Sequence, residues 1–403
     1  MVNQKTEQRE LAYVVRVDEI RPIEGKDRVE CAVVGGWTIM VRKGIFKPGS
    51  LGVYFEIDSL VPQTQTFAFL ADKHYKIKTQ KYGKFYSQGL LMSAEELKWT
   101  NYVDSVGVEH LYDPAADKTY DEGDFLTEAL GVTYYSVDDR QRKSNVDKYK
   151  LMAQRMGKKA SKQPYKWLLK REWGKKLLYI FFGKKKMDSA KQWPTHIAAK
   201  TDVERIQNMI FVLEDKSPFV ATEKIDGTSC SIMCEKNFSG QIKQYICSRN
   251  VVFKAPNQKC FYDTNVYYEA YHKYNLGEKI IQILKDYNLP NVALQMEIYG
   301  EGIQKRDYST KEHKIAVFHI VSDGIKFPME KTAEICEKYD IPHVPILDAN
   351  YILPDSIQEL QSYVEGEKSR IDNLPKEGIV FYSKDGQQYF KFVSPNFLIK
   401  YHG

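Results

Sequence analysis

The chain has 403 residues, 43% hydrophobic and 13% aromatic, enough apolar material for two or three domains with sizeable cores. The formal net charge of +6 is uneven: residues 141–187 hold sixteen Lys/Arg against two acidic residues, a local +14 that leaves −8 for the remainder. The start is polar and carries no apolar leader, and the apolar run at 177–183 is too short to cross a bilayer, so a soluble, intracellular protein without a membrane partner is expected.

Residues 11–130 read as all-β. Short strands are expected at 11–17, 29–34, 37–41, 53–57 and 87–92, separated by turn chemistry at Gly25-Lys26-Asp27, Gly35-Gly36 and Pro48-Gly49-Ser50. Five such strands suit a five-stranded oligonucleotide-binding barrel, an SH3-like barrel or a small sandwich. Lys73, Lys76, Lys78, Lys81 and Lys84 interleave with Tyr75, Tyr82, Phe85 and Tyr86. That mixture suits a groove that tracks phosphates and stacks bases, and equally a solvated loop with snorkelling lysines. Residues 141–200 form a basic linker with one or two amphipathic helices. A solvated connector, a membrane-surface helix and a nucleic-acid contact stay open for it. Within it, Lys166, Lys170, Arg171, Lys175 and Lys176 are candidate RNA contacts.

The capping-box spacing of Thr201 to Glu204 predicts a short helix over 203–209. From 218 onward strands are expected at 219–224, 229–235, 241–248, 292–299, 315–321, 378–383 and 389–393. Helices are expected at 267–285, 331–339 and 356–370, the last with a second capping box from Ser356 to Glu359. The six cysteines form no Cys-x-x-Cys and lie at no zinc spacing with a histidine; they read as reduced core thiols, Cys230 and Cys234 sharing a strand face.

The 219–224 strand runs into Lys224-Ile225-Asp226-Gly227. Period-two alternation puts Lys224 and Asp226 on one face, and Gly227 leaves room for a backbone to approach a ligand. A surface Lys–Asp pair before a turn is the plain alternative. Five later stations bear on the choice: Cys247-Ser248-Arg249-Asn250, Glu297 on an apolar strand, Phe318, Lys376-Glu377-Gly378 and Phe390-Lys391-Phe392. Glu297 lies between Met296 and Ile298 on a half-buried strand, where a carboxylate needs a partner. As a set they are coherent. An amine nucleophile must lose its proton, and burial or a neighbouring cation lowers its pKa. Glu297 and Glu377 can hold magnesium, Arg249 and Lys391 offer fixed charge for a phosphate, and Phe318 a flat face for a base.

These ordered motifs resemble those of the covalent nucleotidyltransferases, the polynucleotide ligases and mRNA capping enzymes. Glu223-Lys224-Ile225-Asp226-Gly227-Thr228-Ser229 followed by Ser248-Arg249-Asn250 is similar to the ATP-dependent RNA ligases. The front segment, with Gly36-Trp37, Gly44 and Tyr54-Phe55-Glu56-Ile57-Asp58-Ser59, resembles the clade that carries an oligonucleotide-binding domain ahead of the catalytic one. The resemblance implies an α+β chain: an OB-type β-barrel over 1–140, a basic, helical linker over 141–200 and a nucleotidyltransferase domain of antiparallel sheets with flanking helices over 201–403. It implies ATP and Mg2+ or Mn2+, and a monomer acting on duplex or bridged RNA with 3′-OH and 5′-phosphate ends, in RNA repair. Lys224 would carry AMP covalently. Glu223, Arg249, Glu297, Phe318 and Lys391 would bind the nucleotide, with Glu297 on the ribose, Phe318 on adenine and Lys391 on the α-phosphate. Asp226 and Glu377 would serve the metal. His319 and Val393 depart from the family pattern, which has an acidic residue and a second lysine there; Lys400 is a candidate partner for Lys391. The competing readings are a non-catalytic RNA-binding protein with a ligase-like domain, which predicts broken motifs, and a DNA ligase.

Overall fold

The computed structural model describes residues 9–134, 165–169, 171, 193–200, 202–237, 239–256, 258, 260, 262 and 264–402. The front domain is built on two three-stranded antiparallel sheets. One has the order Ala12–Arg16, Leu51–Phe55, Leu90–Met92; the other runs Glu19–Pro22, Val29–Val34, Trp37–Arg42. Alternation drives the second: Trp37, Ile39 and Val41 are buried while Arg42 is exposed. The strand expected at 87–92 is two pieces, Phe85–Ser87 and Leu90–Met92. A further sheet of Thr100–Val103, Glu109–Asp113 and Lys118–Tyr120 was not foreseen, since its outer strand is exposed along its whole length and carries no apolar alternation.

The second domain sets two five-stranded sheets against each other. One has the order Glu204–Arg205, Tyr389–Val393, Gly378–Ser383, Phe219–Lys224, Ile346–Tyr351. The other is ordered Ile242–Ser248, Thr228–Lys236, Asn291–Tyr299, Lys314–Ser322, Ile325–Lys326. Pairing is antiparallel except where Glu204–Arg205 runs parallel to Tyr389–Val393. That short strand and the 3-10 turns Ile206–Asn208 and Ile210–Glu214 replace the helix expected at 203–209. Glu204 bonds Arg205 N–H and Asn208 Nδ2, as a turn residue does, and not a helix-capping position. The helix expected at 267–285 is broken in two, Val266–Lys273 and Leu276–Asp286, because Asn275 takes φ 50° between them. Both pack on the second sheet against Cys230, Ile232, Cys234 and Leu294, so the two cysteines do share a buried face. Ser356 caps Ile357–Gly366, its side chain accepting from Glu359 N–H at 3.2 Å. All six cysteines are free thiols.

The two domains are keyed together. Trp37 Nε1 donates to Asn208 Oδ1 at 2.6 Å, Asn208 Nδ2 donates to Glu56 Oε1 at 2.9 Å, and Gly36 N–H donates to Gln207 O at 2.8 Å. A Cβ at Gly36 would lie 2.6 Å from Gln207 Cα, so the junction closes only on glycine. Val393 and Leu398 of the second domain complete the core around Trp37 and Tyr54. Val393 is thus interdomain core, where a second lysine would be buried without a partner.

Candidate active site

Strand register assembles the site. Lys224 pairs with Gly378, Thr222 with Val380, Val380 with Lys391, and Lys391 with Arg205. Cross-strand partners share a face, so Lys224, Lys391 and Arg205 all rise from one side of the first sheet. Past the turn, Ser229 pairs with Glu297 and Thr228 with Ile298, which brings the second sheet's carboxylate up to the first sheet's lysine. A Cβ on Gly227 would lie 2.3 Å from Ile298 O and 2.8 Å from Glu297 Cγ. Gly227 therefore makes room for the Glu297 strand rather than for a ligand. The turn is held from outside: Tyr308 Oη accepts Asp226 N–H at 2.6 Å and Gln304 Nε2 donates to Gly227 O at 2.9 Å.

Lys224 Nζ lies 2.7 and 2.8 Å from the two oxygens of Glu377. Burial favours its neutral form, but Glu377, Glu297 and Asp226 together outweigh burial and raise its pKa. The expectation of a lowered pKa is corrected here: in the free protein the neighbours are carboxylates, and they hold an ammonium. Burial pushes Glu297 up to about 8, helped by Glu377 and Asp226 and opposed by Lys224. Asp226 is raised by burial, against the pull of His402, whose Nε2 is 3.3 Å from Asp226 Oδ1. Glu377 is buried too, yet Lys224 brings its pKa below the usual range. On the same sheet face, two strands away, burial takes Lys391 down to about 7, reinforced by Arg205 and Lys224. Arg205 is buried; it reaches Asp58 at 3.4 Å, while its Nε and one terminal nitrogen have no partner among the described residues.

Divalent-ion binding is supported by one feature of the site. Asp226 Oδ2 is buried without a hydrogen-bond partner among the described residues, beside the Glu377 carboxylate. No group of three or more His, Cys, Asp or Glu among the described residues could form an all-protein cage. Magnesium needs none, since it binds through one or two carboxylates with phosphates and water.

Two family models match the chain: an OB-fold domain over residues 11–94 and the RNA ligase family over residues 217–402. Among solved structures, a mutant Naegleria gruberi RNA ligase with AMP and Mn matches at TM-score 0.70 and 24% identity, over 98% of this chain and 99% of that one. The same ligase with PPi matches at 0.68 and 24%, over 98% and 99%, and a mutant with ATP and Mn at 0.70 and 24%, over 98% and 100%. These likenesses establish the fold, an OB-fold followed by a ligase domain of antiparallel sheets and helices. No curated protein matches by sequence.

Within the segment that matches the RNA ligase family, Lys224, Asp226, Glu297, Glu377 and Lys391 form one cluster close enough to shift one another's charge. Arg249 stands at its edge, its guanidinium 3.0 Å from Asp202 and over the Tyr134 ring. Phe318 sits at a bulge in the pairing with the Glu297 strand, half-buried on the cluster that includes Val220 and Ile225. Glu223 is not brought to Lys224. One residue earlier on the strand, its side chain points to the opposite face, where it accepts Arg370 N–H at 2.9 Å. His319 is a buried imidazole held neutral by burial, 3.2 Å from Gln295 Oε1. Lys400 is exposed and lies over the Tyr401 ring. Of the linker candidates, Lys170, Lys175, Lys176 and the Lys166 side chain lie outside the described residues; Arg171 stacks on Trp167 at 4.4 Å. Arg205, Tyr308 and His402 were missed. Arg205 is delivered by a parallel pairing between residues 186 apart in sequence, and His402 by a terminal helix, Pro395–His402, whose signal is the Ser394 cap, accepting from Phe397 N–H at 3.2 Å, followed by Pro395. No helix among the described residues is long and apolar enough to cross a membrane.

Proposed function

We propose that this chain is an ATP-dependent RNA ligase that joins a 3′-hydroxyl to a 5′-phosphate end, serving the repair of broken RNA. The observation that carries the reading is the Lys224 amine, 2.7 Å from Glu377 and ringed by Glu297 and Asp226, on the same sheet face as Lys391 and Arg205, in a segment that matches the RNA ligase family. The ligands of the similar Naegleria structures, ATP, AMP, PPi and Mn, agree with it.

In this reading Lys391 and Arg205 hold the phosphates of ATP, Phe318 stacks on adenine, and Glu297 and Arg249 contact the ribose and phosphate edge. The Lys224 lone pair attacks the α-phosphorus. The bond to the β-phosphate oxygen breaks, pyrophosphate leaves, and the amine becomes a phosphoramidate of AMP. A 5′-phosphate oxygen of RNA then attacks that phosphorus and expels the lysine. A 3′-hydroxyl attacks the resulting RNA-adenylate, and AMP departs. A divalent ion held by Asp226 and Glu377 would supply the positive charge that offsets the phosphates and favours the neutral amine. Before attack, Glu377 must release Lys224, so the ion pair of the free protein is a resting state.

Labelled ATP with magnesium should place the label on Lys224 as an acid-labile adduct. Lys224→Ala should lose adenylylation and sealing by at least ~10³-fold; a variant that still takes the label rejects the assignment.

A further inference from the structure

The hairpin Gln80–Tyr82 and Phe85–Ser87 is the part of the front domain that the adenylylation site leaves unused. Residues 73–86 hold five lysines, three tyrosines and a phenylalanine with no acidic residue. The hairpin is firmly placed. Thr38 Oγ1 donates to Tyr86 O at 2.8 Å, and Met40 N–H donates to Ser87 Oγ at 3.0 Å. It also crosses to the ligase domain. Tyr86 Oη and Lys81 Nζ both donate to Asn396 Oδ1, at 2.6 and 3.2 Å, on the terminal helix.

Lys73, Lys81 and Lys84 are exposed, and Tyr82 and Phe85 are left half-exposed rather than packed into either core. At its inner end the same segment supplies Lys78 and Thr79 to a small cavity shared with Ile57, Asp58, Leu398 and His402. His402 in turn is 3.3 Å from Asp226. The basic, aromatic hairpin is therefore linked through this cavity and His402 to the Asp226 side of the Lys224 cluster. The acidic groups facing it are few: Asp72 and Asp58 on its own domain, and Glu365, which already accepts from Ser394 and Asn396.

We propose that this hairpin and the terminal helix form a composite surface that holds the RNA strand leaving the catalytic centre, lysines on phosphates and Tyr82 and Phe85 against bases. The proposal rests on the ligase reading above and names where that reading's substrate lies. Ammonium groups without intervening carboxylates suit a polyanion, and interleaved rings suit one that carries bases. The docking to Asn396 fixes this surface relative to Lys224, which an RNA end needs for in-line attack.

The test uses the full chain, nicked duplex RNA with a 5′-phosphate, and two variants, Lys81→Glu/Lys84→Glu and Tyr82→Ala/Phe85→Ala. Self-adenylylation from ATP should stay within about twofold of the parent in both. RNA affinity of the charge-reversed variant should fall by about tenfold or more, and the slope of log K against log salt should drop by roughly 1–2. The ring variant should bind several-fold more weakly with an unchanged salt slope. Unchanged affinity and slope in both variants would overturn the proposal, as would equal loss of adenylylation and RNA binding, which would mean the hairpin acts only through domain docking. A parent chain that takes no label from ATP would instead sink the ligase reading, leaving the RNA titration to be judged by itself.

Discussion

Two carboxylates about 240 residues apart in sequence, Glu56 fully buried and Glu297 half-buried, show how differently the interior treats a charge. Glu56, in the front domain, has both oxygens satisfied: Arg9 donates to Oε2 at 2.7 and 2.9 Å, and Tyr13 and Asn208 donate to Oε1 at 3.2 and 2.9 Å. Burial works against its charge, but Arg9 wins and its pKa falls to about 2. Glu297, in the catalytic cleft, meets a lysine already claimed by Glu377 and two like charges; burial wins and its pKa rises to about 8. One site is finished without a ligand. The other has buried groups of both signs, Asp226 Oδ2 and two Arg205 nitrogens, without a hydrogen-bond partner among the described residues. Unmet electrostatics, more than charge itself, mark the functional cluster.

The contrast can be broken by substitution, beginning where the effect should be largest. Glu56→Ala should cost about 3–5 kcal/mol of stability in denaturant unfolding, because Arg9 is left buried without its counter-charge; a loss under ~1 kcal/mol would demote the pair to a surface contact. Glu377→Gln should differ: adenylylation down by about 100-fold at limiting magnesium, with a smaller loss of stability than at Glu56, since Lys224 keeps Glu297 and Asp226 as negative neighbours. Normal activity there would remove Glu377 from the metal role.

Lys391 offers a sharper probe. With its pKa lowered to about 7 from an ordinary 10.5, it is mostly neutral in the free protein above pH 7. Phosphate favours the charged form. ATP binding should therefore take up a proton between about pH 7 and 10, and affinity should weaken as pH rises through that window, by up to tenfold per unit. Calorimetry in buffers of different ionisation enthalpy measures the uptake, and Lys391→Met should abolish it. The smallest effect is expected far from either cluster. Ser356→Ala, which deletes a helix cap, should cost about 1 kcal/mol and leave adenylylation untouched.

The catalytic strand and its companions were legible before any coordinates because their spacing is local: period two puts Lys224 and Asp226 together, and apolar neighbours flag Glu297 as an odd carboxylate. The same rule, applied one residue further, separates Glu223 from Lys224, since adjacent strand residues point apart. Helix breaks were less legible. Asn275 reads as an ordinary helix residue until its left-handed φ divides the element.

By itself the sequence determined the order of the candidate groups: a lysine, then carboxylates, an aromatic and a final lysine, on or beside strands whose local pattern identifies them. Only the tertiary structure decided the carboxylate surroundings that raise the Lys224 pKa, the recruitment of Arg205 and His402, and the seating of a front-domain hairpin on the terminal helix. The reason is physical. Periodicity is fixed by backbone geometry within a few residues, whereas a pKa and a cross-strand partner depend on which distant segments share the same few ångströms.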